Sequence, residues 1–271
     1  MAAGPTRFHG PVDDDELLRR FAEDGFVRIE GAFPAATARA CVDIMWPDTG
    51  CRPDDPATWT RPVVRLPGYG GGPFEEAVTA PALLAAYDLL AGPGRWVPRT
   101  GLGTFPVRFP HPDDPGDGGW HVEGSYTPEG AQHYWTNVFS RDRALLMLFL
   151  FTDTGEDDAP TRVRIGSHLD VPEVLRPAGE QGMDGFVLGP LVEAASAHRP
   201  QTRVTGRAGD VYLCHPFLVH AAQPHRGTRV RFMAQPGLEP TEPLRIDRPD
   251  GVYSPVEAAI RRGLGLTGRP E

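Results

Sequence analysis

The chain contains no lysine, and all 27 of its basic residues are arginine. Without lysine the protein cannot form a Schiff base with a carbonyl substrate or with pyridoxal phosphate. It also cannot supply the lysine of a phosphate-binding P-loop. Any anionic cofactor that is held by a cationic side chain is therefore expected to be held by arginine.

Cysteines and long apolar runs are also scarce. The three cysteines form no C-x-x-C pair, which is typical of a reducing compartment. The longest apolar run, "ALLMLFLF" (144–151), is far shorter than the roughly 20 residues that span a bilayer, and it indicates a buried strand. Because the first residues show no basic-then-apolar signal pattern, we expect a cytoplasmic protein.

A net charge of −9 argues against nucleic acid or an anionic membrane as a general partner. The expected partner is a small-molecule substrate. The sequence does not indicate an oligomeric state.

Helical patterns lie at the two ends of the chain, and short strand patterns lie between them. A helix over 13–24 ends at Gly25, a strand follows at 26–31, and further helices are predicted around 34–45 and 81–91. From about residue 100 the segments are short, β-rich and separated by Gly, Pro and Asp, which indicates a sandwich or barrel. Ser254 and Pro255 begin a closing helix.

These patterns, with no repeat and no long linker, predict one domain that is mainly β with flanking helices. Its parts are a helical N-terminal layer (about 1–99), a jelly-roll, cupin-like core (about 100–236) and a C-terminal helix (about 254–264).

The stretch "WHVEGSY" (120–126) carries a histidine and a glutamate two residues apart. On an extended strand His121 and Glu123 share one face, as a metal-binding pair or merely as a polar strand surface. Far along the chain, residues 208–235 contain three histidines. Two histidines and one carboxylate on one face leave coordination positions open, as non-haem Fe(II) oxygenases require. With His121 and Glu123 as the first two ligands, this arrangement favours His220 as the second histidine and third ligand. A zinc site of three histidines is the alternative, and it leaves Glu123 without a role.

Arg231, in "TRVRF", follows His220 on a further predicted strand. Alternation predicts that Arg229 and Arg231 share one face. A guanidinium inside a barrel needs an anion, and its fork matches a carboxylate. The partner is either a core Asp or Glu or, more simply with a metal nearby, a dicarboxylic cosubstrate.

Together these motifs resemble the phytanoyl-CoA dioxygenase family of Fe(II)/2-oxoglutarate oxygenases, whose core is a double-stranded β-helix. The likeness rests on H-x-acid, the distant "GD…HP…H" with its following arginine, "RFPHPDDPGDGGWH", and "LFLFTDTGEDDAPTRVRIGSH" (148–168). The resemblance implies that His121, Glu123 and His220 bind Fe(II). It implies that Arg231 binds the far carboxylate of 2-oxoglutarate.

Three positions depart from that pattern. Most of the family has Asp where this chain has Glu123, so the carboxylate is displaced by one methylene. The family often has Ser or Thr two residues after the distal histidine, where this chain has Ala222. The turn before His168 is "RIGSH" rather than P-G-S-H.

Other candidates are less specific. Arg108, on the strand before the metal-binding segment, is predicted either to help bind 2-oxoglutarate or a substrate carboxylate, or to form a surface ion pair. Trp120, Tyr126 and Trp135 are candidates for the wall of a substrate pocket or for core packing. His215, before a proline, is interpreted as structural.

The resemblance implies an enzyme that uses Fe(II), 2-oxoglutarate and O2 to hydroxylate a small organic molecule, with release of succinate and CO2. Two alternatives remain at this stage. One is a jelly-roll metalloenzyme of another class, such as an isomerase. The other is a non-enzymatic jelly roll that binds a small molecule.

Overall fold

The structure is a computed structural model that describes residues 13–266. The helices in this range are α1 (Asp14–Asp24), α2 (Ala35–Asp48), α3 (Gly72–Val78), α4 (Pro81–Ala91), α5 (Val171–Leu175), α6 (Gly185–Ala195) and α7 (Pro255–Gly263). The strands are β1 (Phe26–Ile29), β2 (Val63–Leu66), β3 (Tyr69–Gly70), β4 (Gly101–Leu102), β5 (Phe105–Arg108), β6 (Trp135–Thr136), β7 (Leu145–Leu150), β8 (Arg162–Arg164), β9 (Met183–Asp184), β10 (Gln201–Arg203), β11 (Val211–Cys214), β12 (His220–Ala221), β13 (Met233–Ala234) and β14 (Gly237–Leu238). This part of the chain is therefore rich in sheet and flanked by helices, as predicted.

The predicted helix boundaries follow from local chemistry. Gly25 ends α1 in the left-handed conformation, with φ 83°, and its N–H donates to Phe21 O. Ser254 begins α7 with a capping box, because its hydroxyl accepts from the N–H of Glu257 while that carboxylate accepts from the N–H of Ser254. Both ends are where the sequence predicts them.

Two sheets carry the core. The larger has the strand order β1-β11-β7-β13, and β14 also pairs with β7; the smaller has the order β10-β8-β12. All the pairings are antiparallel. The strand predicted at 26–31 is β1, which joins the larger sheet, and β2 pairs with β5, so the N-terminal layer also contributes strands.

The alternation of β7 divides its side chains between two apolar clusters. Met147 and Phe149 face the larger cluster, which includes residues of α1, α2, α3 and α4. Leu146, Leu148 and Leu150 face a smaller cluster with Val163 and Met233. The smaller cluster draws on both sheets, so it fills the space between them.

Several elements escaped the sequence analysis. Helix α6 contains Pro190 and the glycines Gly185 and Gly189, residues that argue against a helix in a single sequence. Among the β-rich segments after residue 100, residues 228–236 contain only the short strand β13, and residues 133–140 contain only β6. Across residues 13–266, no helix is long and apolar enough to cross a membrane.

Candidate metal and cosubstrate site

His121 and His220, far apart in sequence, meet as backbone neighbours. The N–H of His121 donates to the carbonyl of His220 at 3.0 Å, and the reverse bond measures 2.9 Å. The centroids of their imidazole rings are 4.4 Å apart. The fold therefore brings together two of the three predicted metal ligands.

The ring nitrogens of this pair are arranged for metal binding. Nδ1 of His121 lies 2.9 Å from the carbonyl of Gly119, and Nδ1 of His220 lies 2.9 Å from that of Leu218. A carbonyl can only accept, so each Nδ1 carries a proton, and in the neutral form of the ring the lone pair is on Nε2. Within the described part of the chain, neither Nε2 has a hydrogen-bond partner. Burial lowers the pKa of His220 to about 3, so its imidazole is neutral, the form that binds a metal.

The other two histidines of the distal segment are engaged at both nitrogens. Nε2 of His215 lies 3.1 Å from Val256 O, and its Nδ1 accepts from a backbone N–H at 3.1 Å. His225 bonds Arg229 O through Nε2 and accepts from Gly227 N–H through Nδ1. These contacts give both histidines structural roles and leave no ring nitrogen for the three-histidine zinc alternative.

Glu123 lies beside a cation. Its carboxylate is 3.6 Å from Nη2 of Arg143, and 27% of its side chain is exposed. Burial raises the pKa of the Glu123 carboxyl, and the nearby Arg143 guanidinium only partly opposes the rise. The guanidinium is held in turn by the carbonyl of Gly124, at 3.0 Å from Nη2. Gly237 makes this possible, because a Cβ there would overlap the Arg143 side chain.

Among residues 13–266, no three His, Cys, Asp or Glu side chains form a group that could hold a metal ion. The structure thus unites His121 with His220 and keeps Glu123 paired with Arg143. The donor chemistry nevertheless fits an Fe(II) ion. Both imidazoles have an Nε2 atom without a hydrogen-bond partner in the described chain, and the charged form of the nearby carboxylate gains from an added cation.

Arg231 is a buried cation, only 2% exposed. Its Nη1 donates to Ala159 O, its Nη2 lies 3.3 Å from Pro106 O, and its Nε has no hydrogen-bond partner. No Asp or Glu of the described chain forms an ion pair with it. Burial, reinforced by the Arg108 guanidinium, lowers the pKa of Arg231 to about 9. A cation kept in these surroundings without a carboxylate is expected to have an anionic ligand.

Arg108 flanks Arg231 but already has an acid. The backbones of the two arginines exchange hydrogen bonds of 3.0 and 2.9 Å. Nη2 of Arg108 lies 2.6 Å from Asp117, and its Nη1 lies 3.4 Å from Gln223 O. Arg108 therefore forms an ion pair, but it is a buried arginine, only 3% exposed, and not part of a surface pair. A role in binding 2-oxoglutarate stays a prediction.

Arg229 and Arg231 do not share a face, contrary to the sequence prediction. The Arg229 side chain is 61% exposed and lies 3.0 Å from Asp158. Only the isolated bridge between Arg108 and Arg231 is formed at this point, so regular strand alternation does not apply to residues 229–231.

One positioning residue was missed. Nη2 of Arg162 donates to the carbonyls of Gly118, at 2.9 Å, and Ala222, at 3.1 Å. It thereby ties the segment that precedes His121 to the segment that follows His220. Its guanidinium also lies 4.7 Å from the centre of the Trp120 ring, so this tryptophan packs under a cation.

Solved structures share this fold. SnoN, an α-ketoglutarate-dependent non-haem epimerase of nogalamycin biosynthesis, is 16% identical with a TM-score of 0.55, over 83% of this chain and 82% of SnoN. SnoK, a carbocyclase of the same type and biosynthesis, is 18% identical with a TM-score of 0.53, over 86% and 87%. HygX from Streptomyces hygroscopicus, with nickel and 2-oxoglutarate bound, is 19% identical with a TM-score of 0.53, over 88% and 94%.

At these identities the likeness shows the fold that the chain shares with these α-ketoglutarate-dependent enzymes. The sequence model of the phytanoyl-CoA dioxygenase (PhyH) family matches residues 90–233, more than half of the chain. The chain belongs to this family, and its cofactors are Fe(II), 2-oxoglutarate and O2. No curated protein matches it in sequence.

Proposed function

We propose that the protein is a dioxygenase that hydroxylates a small organic molecule and releases succinate and CO2. In this proposal His121, Glu123 and His220 hold Fe(II), and Arg231 binds the far carboxylate of 2-oxoglutarate. The observation that carries it is Arg231, which lies inside the protein without a carboxylate from the described chain. The alternatives, an isomerase-like metalloenzyme or a simple binding protein, would each need a different anion for that buried cation.

Each proposed ligand has a physical role that its surroundings support. The carbonyls of Gly119 and Leu218 fix the imidazole tautomers and rings, so that the Nε2 atoms are available. Glu123 would exchange its weak contact with Arg143 for a bond to a dication. Bound iron would supply the activation of oxygen, and the protein would contribute positioning and exclusion of water.

The architecture supports the same proposal. We infer that the two sheets, with the smaller apolar cluster between them, form a double-stranded β-helix core within one domain. A cytoplasmic location is retained as a proposal from the unpaired cysteines.

A small-molecule substrate is supported by related structures. HygX has been solved with hygromycin B bound, and SnoN with nogalamycin RO. SnoN is an epimerase and SnoK a carbocyclase, so epimerisation and ring closure are the alternatives to hydroxylation. Analysis of the product decides between these three reactions. Hydroxylation adds an oxygen atom, oxidative ring closure removes two hydrogen atoms, and epimerisation leaves the mass unchanged.

The first test is binding of Fe(II) and 2-oxoglutarate without oxygen. We expect the weak visible charge-transfer band of the chelate, and succinate once air is admitted. Candidate substrates can then be found as the metabolites that are depleted only when Fe(II), 2-oxoglutarate and O2 are all present. A protein that gives neither the band nor succinate contradicts the proposal.

A further inference from the structure

Ala222 stands where the resembling family often has a hydroxyl, and the structure offers a hydroxyl directly across from it. In the ladder between β8 and β12, Val163 faces His220 and Arg162 faces Ala221. One step further, Thr161 faces Ala222. The two segments stay side by side beyond this point, because the Gln223 amide donates to Pro160 O at 2.7 Å.

The side chain of Thr161 points into the space between the sheets. Opposed residues of an antiparallel pair lie on the same face, and so do residues two apart on one strand. Thr161 therefore shares its face with Val163, which belongs to the apolar cluster between the sheets, and with His220. Thr161 is only 2% exposed.

The hydroxyl of Thr161 has no strong acceptor. Its contact is with Sδ of Met233, at 3.9 Å, and a thioether accepts hydrogen bonds weakly. Within the described part of the chain no oxygen accepts from this hydroxyl. A buried O–H with only a thioether partner is thus a donor available to a ligand.

Thr161 and Arg231 approach the same interior region from two segments. Nη1 of Arg231 donates to Ala159 O, two residues before Thr161. Met233, which contacts the Thr161 hydroxyl, lies two residues after Arg231. Residues 159–161 and 231–233 therefore run together. They carry the Thr161 hydroxyl, whose partner is a thioether, and the Arg231 Nε, which has no hydrogen-bond partner.

We propose that the Thr161 hydroxyl donates a hydrogen bond to the far carboxylate of 2-oxoglutarate, beside Arg231. Thr161 thus replaces, from the opposite strand, the donor that this chain lacks at Ala222. This inference rests on the proposed function, since it assigns a second contact to the same cosubstrate.

The test is the affinity for 2-oxoglutarate, measured by calorimetry on the Fe(II)-loaded protein without oxygen. Thr161→Val keeps the shape of the side chain but removes the donor. A hydrogen bond to a charged group predicts a loss of about 10- to 150-fold in affinity. Thr161→Ser should bind nearly as the wild type does.

Two controls make the test specific. The first is 2-oxobutyrate, which has the keto-acid end but no far carboxylate, and its affinity should not change in Thr161→Val. The second is the double variant Thr161→Val with Ala222→Ser, which puts a hydroxyl at the family's usual position and should recover most of the lost affinity. Melting temperatures of all variants identify any loss of fold.

Each outcome decides the matter. Unchanged 2-oxoglutarate affinity in Thr161→Val overturns the inference while the proposed function stands. Equal weakening of 2-oxoglutarate and 2-oxobutyrate also overturns it, because the effect is then a general distortion of the site. Wild-type protein that binds no 2-oxoglutarate overturns the proposed function as well.

Discussion

Replacing Arg231 with alanine tests the cosubstrate site most directly. The guanidinium is buried, so solvent and salt screen its charge little. Truncating one member of a desolvated, hydrogen-bonded charge pair costs about 2–5 kcal/mol. At about 1.4 kcal/mol for each factor of ten, the affinity for 2-oxoglutarate should fall by roughly 30- to several-thousand-fold.

The assay is succinate formation against 2-oxoglutarate concentration, together with iron affinity. Arg231→Ala should raise the apparent KM by at least that lower factor and leave iron binding largely unchanged. Arg231→Lys should fall between, because an ammonium keeps the charge but loses the planar fork. Arg231 also bonds to Ala159 O and Pro106 O, so the melting temperature must be checked.

Arg229→Ala is the matched control. Its side chain is 61% exposed and pairs with Asp158, so its loss should scarcely change the KM. An unchanged curve for Arg231→Ala, or a larger defect in Arg229→Ala, would refute the assignment.

Three further predictions concern the metal ligands and a buried histidine. His121→Ala or His220→Ala should abolish turnover and leave the fold intact, whereas His225→Ala should retain iron. If metal analysis shows that His225→Ala loses iron while His121→Ala or His220→Ala keeps it, the proposed ligand set is wrong. Glu123→Asp should keep iron and activity. Loss of a residue that only supports a metal ligand costs about 10- to 100-fold in metal affinity, and Glu123→Ala should lose more iron affinity than that. Equal iron affinity in the wild type and Glu123→Ala would show that this carboxylate is not a ligand. Burial lowers the pKa of His215 from 6.5 to about 3, so the unfolded chain gains a proton first as pH falls. The free energy of unfolding of the metal-free protein, from urea titrations, should then decrease between about pH 6.5 and pH 3 and change less in His215→Gln; equal slopes would contradict this.

Elements with strong local signals were predictable. Acidic residues at the start of α1 and Gly25 at its end indicate that helix, and Ser254 with Pro255 indicates α7. Helix α6 was not predictable, because Pro190 and two glycines contradict local propensity there. Its packing is tertiary: Leu188 and Val192 are buried in the core.

Part of the candidate site follows from the resemblance to a family pattern. The family pattern indicates His121, His220 and Arg231, and the structure joins the two histidines and buries the arginine. Thr161 and Arg162 could not be found, because their significance depends on which residue of the segment 220–222 each one faces. A shift of one residue in register would have exchanged their faces.

The pairing of β1 with β11 determines how late in synthesis the first strand can join its sheet. Asp210 joins these strands: its carboxylate is 2.7 Å from Arg28, which lies 182 residues earlier, and 2.8 Å from the N–H of Gly31. A ribosome has therefore made most of the protein before β1 gains its partner strand. Until then the apolar residues of β1 have no partner strand, so we expect them to stay exposed during synthesis. The larger sheet therefore forms late in synthesis, because β11, β13 and β14 are all made long after β1.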